Sequence, residues 1–206
     1  MIDTLVMCPA LSPRFFGDLT SRVRKLPLRF LDPAYPPRDL HLRLATVREA
    51  IFATLQEAMK ETPASRVGIM GYSIGGYLGV QAAAQLPEPP GAFILVASPA
   101  SWALRRSEPN FDRIMSIYGS HGIDTYSLVK EMEQIPAEQE ADQTAGRLGA
   151  WTLLLRGRDD QNVSMEHARR YQAALGDKAS LVELEGDHFL RGQEQRLAGE
   201  VRRFLH

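Results

Sequence analysis

The hydrophobic pattern of the chain switches period repeatedly, and each switch marks an element. Near-continuous apolar runs occur at Ile2–Cys8, Leu26–Leu31, Val67–Met70, Ala92–Ala97, Trp151–Leu155 and Leu181–Leu184. Short runs without polar alternation predict strands covered on both faces, as in parallel sheets. Between them the spacing becomes three and four. Leu40, Leu44, Val47, Ile51, Leu55, Ala58 and Met59 predict one long amphipathic helix over residues 40–61. Ser12-Pro13 reads as a helix start, serine as cap and proline at the first helical position, with Phe15, Phe16, Leu19 and Val23 carrying the helix to Lys25. A loop with Pro33, Pro36 and Pro37 follows the second strand, and further helices are predicted over 164–175 and 190–205. Strand and helix alternate, which predicts an α/β fold with a doubly wound, mostly parallel sheet of about six strands and helices on both faces.

Residues 99–147 break the alternation. This segment is polar and charged, yet it holds Trp102, Phe111, Ile114, Met115, Ile117, Tyr118, Tyr126, Leu128, Val129 and Met132. Two or three short helices with an apolar underside are expected. The segment follows a strand directly, so it is placed as a helical lid over the carboxyl ends of the strands, where open α/β sheets bind ligands. The plainer reading is a surface insertion that covers a sheet edge. The organisation is therefore a core of residues 1–98 and 148–206 interrupted by a lid over 99–147.

Composition narrows the class. The 206 residues are 44% hydrophobic and 24% charged, with a net charge of −1, as in an ordinary soluble domain. No basic run points to nucleic acid. Cys8 is the one cysteine, so an intramolecular disulfide is impossible and a cysteine-based metal cluster is not expected. Met1–Met7 carries Asp3 where a secretory leader would carry bases, and no apolar stretch approaches the ~18 residues of a membrane span. A cytoplasmic location is the expectation.

The chemistry centres on Gly71-Tyr72-Ser73-Ile74-Gly75, which lies between a predicted strand and the helix-like Tyr77–Ala84. Strand, sharp turn and helix in that order form a nucleophile elbow, with the serine at the tip and free helix N–H groups beside it. The alternative is a glycine-rich turn whose serine caps a helix. A serine hydroxyl needs a base, usually a histidine oriented by a carboxylate. Of five histidines, His41, His121, His167 and His206 read as solvated or capping groups. His188 follows the strand Leu181–Leu184 across Glu185-Gly186-Asp187, at the carboxyl end of a strand. Asp159 and Asp160 lie where the strand Trp151–Leu155 runs into the turn Gly157–Val163; they serve as turn formers or as the acid that orients the histidine. All three elements fall at the carboxyl ends of separate predicted strands.

With these residues the chain resembles a small α/β-hydrolase fold protein over nearly its whole length. The resemblance rests on the Gly71–Gly75 elbow, the Gly157-x-x-Asp160-x-x-Val163 turn and the Gly186-Asp187-His188-Phe189 loop. It implies a triad in the chain order Ser73, Asp160, His188, and its acid-turn pattern favours Asp160 over Asp159. The histidine loop is also similar, over a short stretch, to that of type II thioesterases. The family usually has two more strands ahead of the one that leads to the oxyanion loop, so a trimmed sheet is expected. Where the family's oxyanion loop often reads His-Gly, this chain has Cys8-Pro9-Ala10-Leu11. Proline lacks an N–H, so the implied oxyanion donors are the backbone N–H of Ile74 and of Leu11, with Ala10 the alternative.

The implied activity is hydrolysis of an ester or thioester of a small-molecule acyl substrate, free or carrier-bound, with no metal or organic cofactor and no nucleic-acid or membrane partner. Acyl transfer to another nucleophile, a lyase step, or a non-catalytic binding protein of the same fold are the alternatives. Trp102, Phe111, Tyr118 and Tyr126 are candidates for an apolar acyl pocket, or else for the insertion's own small core. Arg105-Arg106 is a candidate for an anionic carrier group, or else a solvated charge pair.

Overall fold

The computed structural model describes residues 1–9, 13–34, 43–120 and 122–206. Among these, six strands form one sheet: β1 (Thr4–Cys8), β2 (Arg29–Leu31), β3 (Val67–Tyr72), β4 (Ala92–Val96), β5 (Trp151–Gly157) and β6 (Ala179–Leu184). Their spatial order is β2-β1-β3-β4-β5-β6, and every neighbouring pair is parallel. Parallel pairing puts all carboxyl ends on one edge, so the loops after β3, β5 and β6 converge there.

Alternation along the strands divides the interior into two layers. In β3, Val67 and Ile69 join one core with Val47, Ile51 and Leu55 of α2 (Leu44–Glu61), Tyr77, Leu78 and Val80 of α3 (Ile74–Ala83), and Tyr171 and Leu175 of α8 (Met165–Leu175). Met70 and Tyr72 point the other way, toward Phe16 and Leu19 of α1 (Pro13–Thr20) and Leu197, Val201 and Leu205 of α9 (Glu194–Leu205). That last spacing of four puts three side chains on one helix face. Each is buried, and each contributes about 1.5–3 kcal/mol of transfer free energy.

The structure departs from the sequence-based expectation at several ends, each for a local reason. Helix α1 begins at Pro13 as expected but stops at Thr20, whose hydroxyl donates back to the Phe16 carbonyl at 2.6 Å; a separate turn covers Val23–Lys25. Strand β2 is shorter than Leu26–Leu31, because Pro27 has no N–H and the Leu28 N–H turns back to Leu26. Helix α2 starts at Leu44; the start expected near residue 40 lies outside the described residues, as do Ser12, His41 and His121. Helix α9 begins at Glu194 rather than 190, after Leu190 and Gly192 take left-handed conformations with φ of 51° and 77°.

Among its described residues the insertion forms four α-helices rather than two or three: α4 (Trp102–Ser107), α5 (Phe111–Ser120), α6 (Thr125–Glu133) and α7 (Ala141–Leu148). Its apolar residues Ile114, Met115, Leu128, Met132, Ala141 and Ala145 join the core shared by α2 and α3. It is thus packed as part of the layer on that face of the sheet. No helix among the described residues is long and apolar enough to cross a membrane.

Candidate active site

Ser73 sits between β3 and α3 with φ 51° and ψ −128°, a conformation that side-chain-bearing residues rarely adopt. The fold over-determines it. The Ser73 N–H donates to Val96 O of the neighbouring strand at 2.8 Å, and its carbonyl accepts from the Gly76 N–H at 3.0 Å as α3 begins. The glycine after the turn is required by close approach: a Cβ on Gly75 would run into the carbonyls of Cys8 and Pro9. The end of β1 is therefore pressed against the first turn of α3, whose first two N–H groups, those of Ile74 and Gly75, have no partner within the helix. Ile74 is the first residue of that turn. Leu11 and Ala10, the expected second oxyanion donors, lie outside the described residues.

Asp160 and His188 come together from two other strand ends. His188 Nδ1 lies 2.9 Å from Asp160 Oδ2, and the Asp160 side chain is fully buried. The other carboxylate oxygen accepts the N–H groups of Asn162 at 2.8 Å and Val163 at 3.0 Å. A carboxylate with one oxygen fixed by its own turn and the other facing Nδ1 favours the tautomer with the imidazole proton on Nδ1. Asp159, by contrast, is exposed, and only its backbone N–H touches the histidine loop, at Gly186 O. The two loops meet closely: a Cβ on Gly157 would strike the carbonyls of Gly186 and Asp187. Tyr72, next to Ser73, touches His188 directly, with ring centroids 5.3 Å apart and its hydroxyl donating to the His188 carbonyl at 3.0 Å. Tyr72 thus contacts His188 while being the chain neighbour of Ser73, and Ser73 and His188 are both buried, with 7% and 8% of their surfaces exposed.

The insertion is fastened to the acid turn. Glu108 accepts the Ser164 N–H at 3.0 Å, Asn110 donates to the Gln161 carbonyl, and Arg113 donates to Asn162 Oδ1 at 2.9 Å. Burial alone would raise the Glu108 carboxyl. Hydrogen bonds from the His167 ring and Ser164, with the charges of His167 and Arg105, instead hold it down at about 2, against an ordinary 4.5. The His167 contact is long, 3.5 Å, and the His167 Nδ1 accepts the Ala100 N–H at 2.9 Å. Arg105, whose guanidinium meets the other carboxylate oxygen at 2.5 Å, is the permanent charge beside it. A lowered carboxyl stabilises the fold fully above about pH 4.5, and that contribution is lost as pH falls from 4.5 toward 2. Urea midpoints of the native chain and Glu108→Gln are expected to differ most at neutral pH and to converge through that window; a constant gap would refute the linkage.

Several sequence expectations change here. His167 is neither solvated nor a helix cap: it is fully buried and ties the loop after β4 to α8. Arg105 is not a solvated charge; it is 4% exposed and held by Glu108 and Asn110. Arg106 pairs with Glu133 at 3.2 Å. Trp102 is buried against Tyr77 of α3 with centroids 5.0 Å apart, and Tyr126 is 74% exposed, so these two belong to the core and the surface respectively. Phe111 and Tyr118 are half-buried against the core. Two residues in this region carry no sequence signal for what they do. Tyr72 occupies the variable position of a G-x-S-x-G pattern, and Glu140 looks like one of two ordinary surface acids in Glu138-Gln139-Glu140.

An all-parallel sheet carrying a serine on a strained strand–helix turn, with an acid and a histidine on later strand ends, defines an α/β-hydrolase. Solved structures share this fold at low identity. A monoacylglycerol lipase of Paleococcus ferrophilus aligns with a TM-score of 0.67 and 17% identity over 98% of this chain and 93% of its own. A structure from work on carboxylesterases of Nitrososphaera gargenis gives 0.68 and 13% over 98% and 91%. The esterase domain of a Rhodothermus marinus protein gives 0.66 and 16% over 99% and 88%. The chain belongs to the prolyl oligopeptidase family, whose model matches residues 49–205 and so spans Ser73, Asp160 and His188. No curated protein matches the sequence.

Proposed function

We propose that this protein is a serine hydrolase that cleaves a carboxylic ester or thioester through an acyl-enzyme. The observation that carries the reading is the buried Asp160–His188 contact at 2.9 Å, with the ring of Tyr72, the residue before the strained Ser73, against His188. His188 Nε2 takes the Ser73 proton as Oγ attacks the acyl carbonyl. Asp160 holds the Nδ1 tautomer and stabilises the imidazolium. The carbonyl oxygen gains charge beside the N–H of Ile74 and a second donor assigned to Leu11, each such donor being worth about 3 kcal/mol to the transition state. Collapse expels the alcohol or thiol, which takes the proton from His188. Water, deprotonated by the same nitrogen, then releases the acid and restores Ser73. Residues 99–147 fit a cap over this edge, one held at the acid turn by Glu108, Asn110 and Arg113.

Family membership favours a second reading, peptide-bond cleavage on the same three residues. It differs only in the leaving amine, which depends more heavily on His188 as acid. A fluorophosphonate probe followed by a substrate panel tests both. The native chain is expected to label, and Ser73→Ala to lose labelling and to lose kcat by about 10⁶-fold, the scale of nucleophile removal in other serine hydrolases. Folded native chain that resists the probe would remove Ser73 as nucleophile. Turnover of p-nitrophenyl esters or acyl thioesters but not of peptidyl p-nitroanilides supports the first reading over the second.

A further inference from the structure

Tyr72 is the last residue of β3, and strand alternation turns its side chain away from α3 into the opposite layer. There it lies between two rings. The Phe16 ring is stacked at 6.1 Å and 17°, and the His188 ring is tilted at 5.3 Å and 39°. Its hydroxyl donates to the His188 carbonyl at 3.0 Å across 116 residues of sequence, and the residue is 4% exposed. Phe189 also meets the imidazole, edge-on at 5.7 Å.

The loop that carries His188 needs such a support. Residues 185–190 have no regular structure, and their backbone passes through left-handed conformations at Gly186 and Leu190, with φ of 99° and 51°. Other hydrogen bonds of the loop include Asp159 N–H to Gly186 O, Leu190 N–H to Asp187 O, Gln193 N–H to Leu190 O and Phe189 N–H to Asp187 Oδ1. Asp160 fixes one edge of the imidazole through Nδ1 but leaves rotation of the ring and movement of its backbone open. Tyr72 restrains both, the ring by contact and the backbone by its hydroxyl. Because Tyr72 is bonded directly to Ser73, the restraint is measured from the nucleophile itself.

We propose that Tyr72 is a positioning residue that sets the placement of His188 relative to Ser73 by bracing the histidine loop from the nucleophile's own strand. Burial, and then the charge of Asp160, push the Tyr72 hydroxyl well above its ordinary value, so it stays a neutral donor throughout the working range. The proposal rests on the hydrolase reading above. It matters because misplacement of a catalytic group by about 1 Å costs on the order of 100-fold in rate.

The test uses the full chain with Tyr72→Phe, which keeps the ring and removes the hydroxyl, and Tyr72→Leu, which removes both. Tyr72→Phe is expected to lower kcat roughly 10-fold with KM within about twofold, and Tyr72→Leu roughly 100-fold. Loosening the Asp160–His188 contact weakens the stabilisation of the imidazolium, so the acid limb of the kcat/KM profile is expected to move to lower pH in both variants. A purely structural tyrosine would change the folded fraction and leave kcat per folded molecule and the acid limb in place. A readout independent of substrate is the downfield proton resonance of His188 Nδ1–H, expected in the native chain and broadened by exchange in Tyr72→Phe. Native kcat, an unmoved acid limb and an unbroadened resonance in Tyr72→Phe would overturn the brace. Loss of Ser73 labelling in the native chain itself would instead overturn the hydrolase reading, and the resonance still decides the brace.

Discussion

Asp160→Asn is expected to lower kcat by about 10³–10⁴-fold at neutral pH, while Asp159→Asn stays within about twofold. The two carboxylates are adjacent in sequence and opposite in setting. Asp159 is exposed, and it is its backbone N–H that bonds the histidine loop, at Gly186 O. Asp160 is buried, with Oδ2 on His188 Nδ1 and Oδ1 on the N–H groups of Asn162 and Val163. Asparagine keeps an oxygen for those two N–H groups, so the turn survives the change. Its amide nitrogen then faces Nδ1, and two donors cannot share that contact. The imidazole responds by moving its proton to Nε2, the nitrogen that must accept from Ser73. The chemistry fails while the fold persists, which separates this variant from a destabilised one. Steady-state kinetics on both variants, with urea midpoints as the control for folding, checks the expectation. Equal losses, or a larger loss at Asp159, would show that the acid has been assigned to the wrong residue.

The three strand-end groups were legible because each sits where a period changes. An apolar run ends, a glycine or acid follows, and a helix pattern begins, as at Gly71–Gly75 and Gly157–Val163. Such punctuation is local, and local chemistry is what a sequence displays. The choice between Asp159 and Asp160 was not local; it came from the spacing of a resemblance, and in the structure it reflects which carboxylate the β6 loop approaches. The contacts made by Tyr72 lay further out of reach. Its hydroxyl meets a carbonyl 116 residues away, and nothing in the tyrosine's own neighbourhood encodes that partner. The same holds for the insertion. Its apolar residues predicted helices, but Ala141, Ala145 and Leu148 are too small or too few to reveal α7. Its attachment runs through polar side chains such as Glu108, Asn110 and Glu140, whose burial follows from tertiary placement. Arg105 shows the same effect: an arginine in an insertion reads as solvated until its partner, three residues on, is seen buried beside it.

Glu140→Ala is expected to be the most destabilising single change in the insertion, at about 3–5 kcal/mol. The carboxylate is 4% exposed and takes four hydrogen bonds. They come from the Tyr77 hydroxyl at 2.7 Å, the Ser101 hydroxyl at 3.0 Å, and the N–H groups of Trp102 and Ala103 at 3.0 and 3.1 Å. Two of these donors open α4 and one rises from α3, the helix that begins beside Ser73. Glu140 therefore joins both ends of the insertion to the helix that follows Ser73, and Trp102 is packed on Tyr77 within the same join. Alanine strands three buried donors and the part-buried Ala103 N–H, and the penalty comes from those unpaired groups more than from the lost carboxylate. Glutamine keeps one acceptor and turns an NH₂ toward the remaining donors, so it falls between. With a urea slope of about 2–3 kcal/mol/M, the alanine variant's midpoint is expected to drop by about 1–2 M. Native Ser73 labelling per folded molecule should persist, because α3 keeps its own packing against the sheet. A cost below about 1 kcal/mol would mean that water reaches these donors as soon as Glu140 is gone, and that the insertion is held by its apolar underside alone.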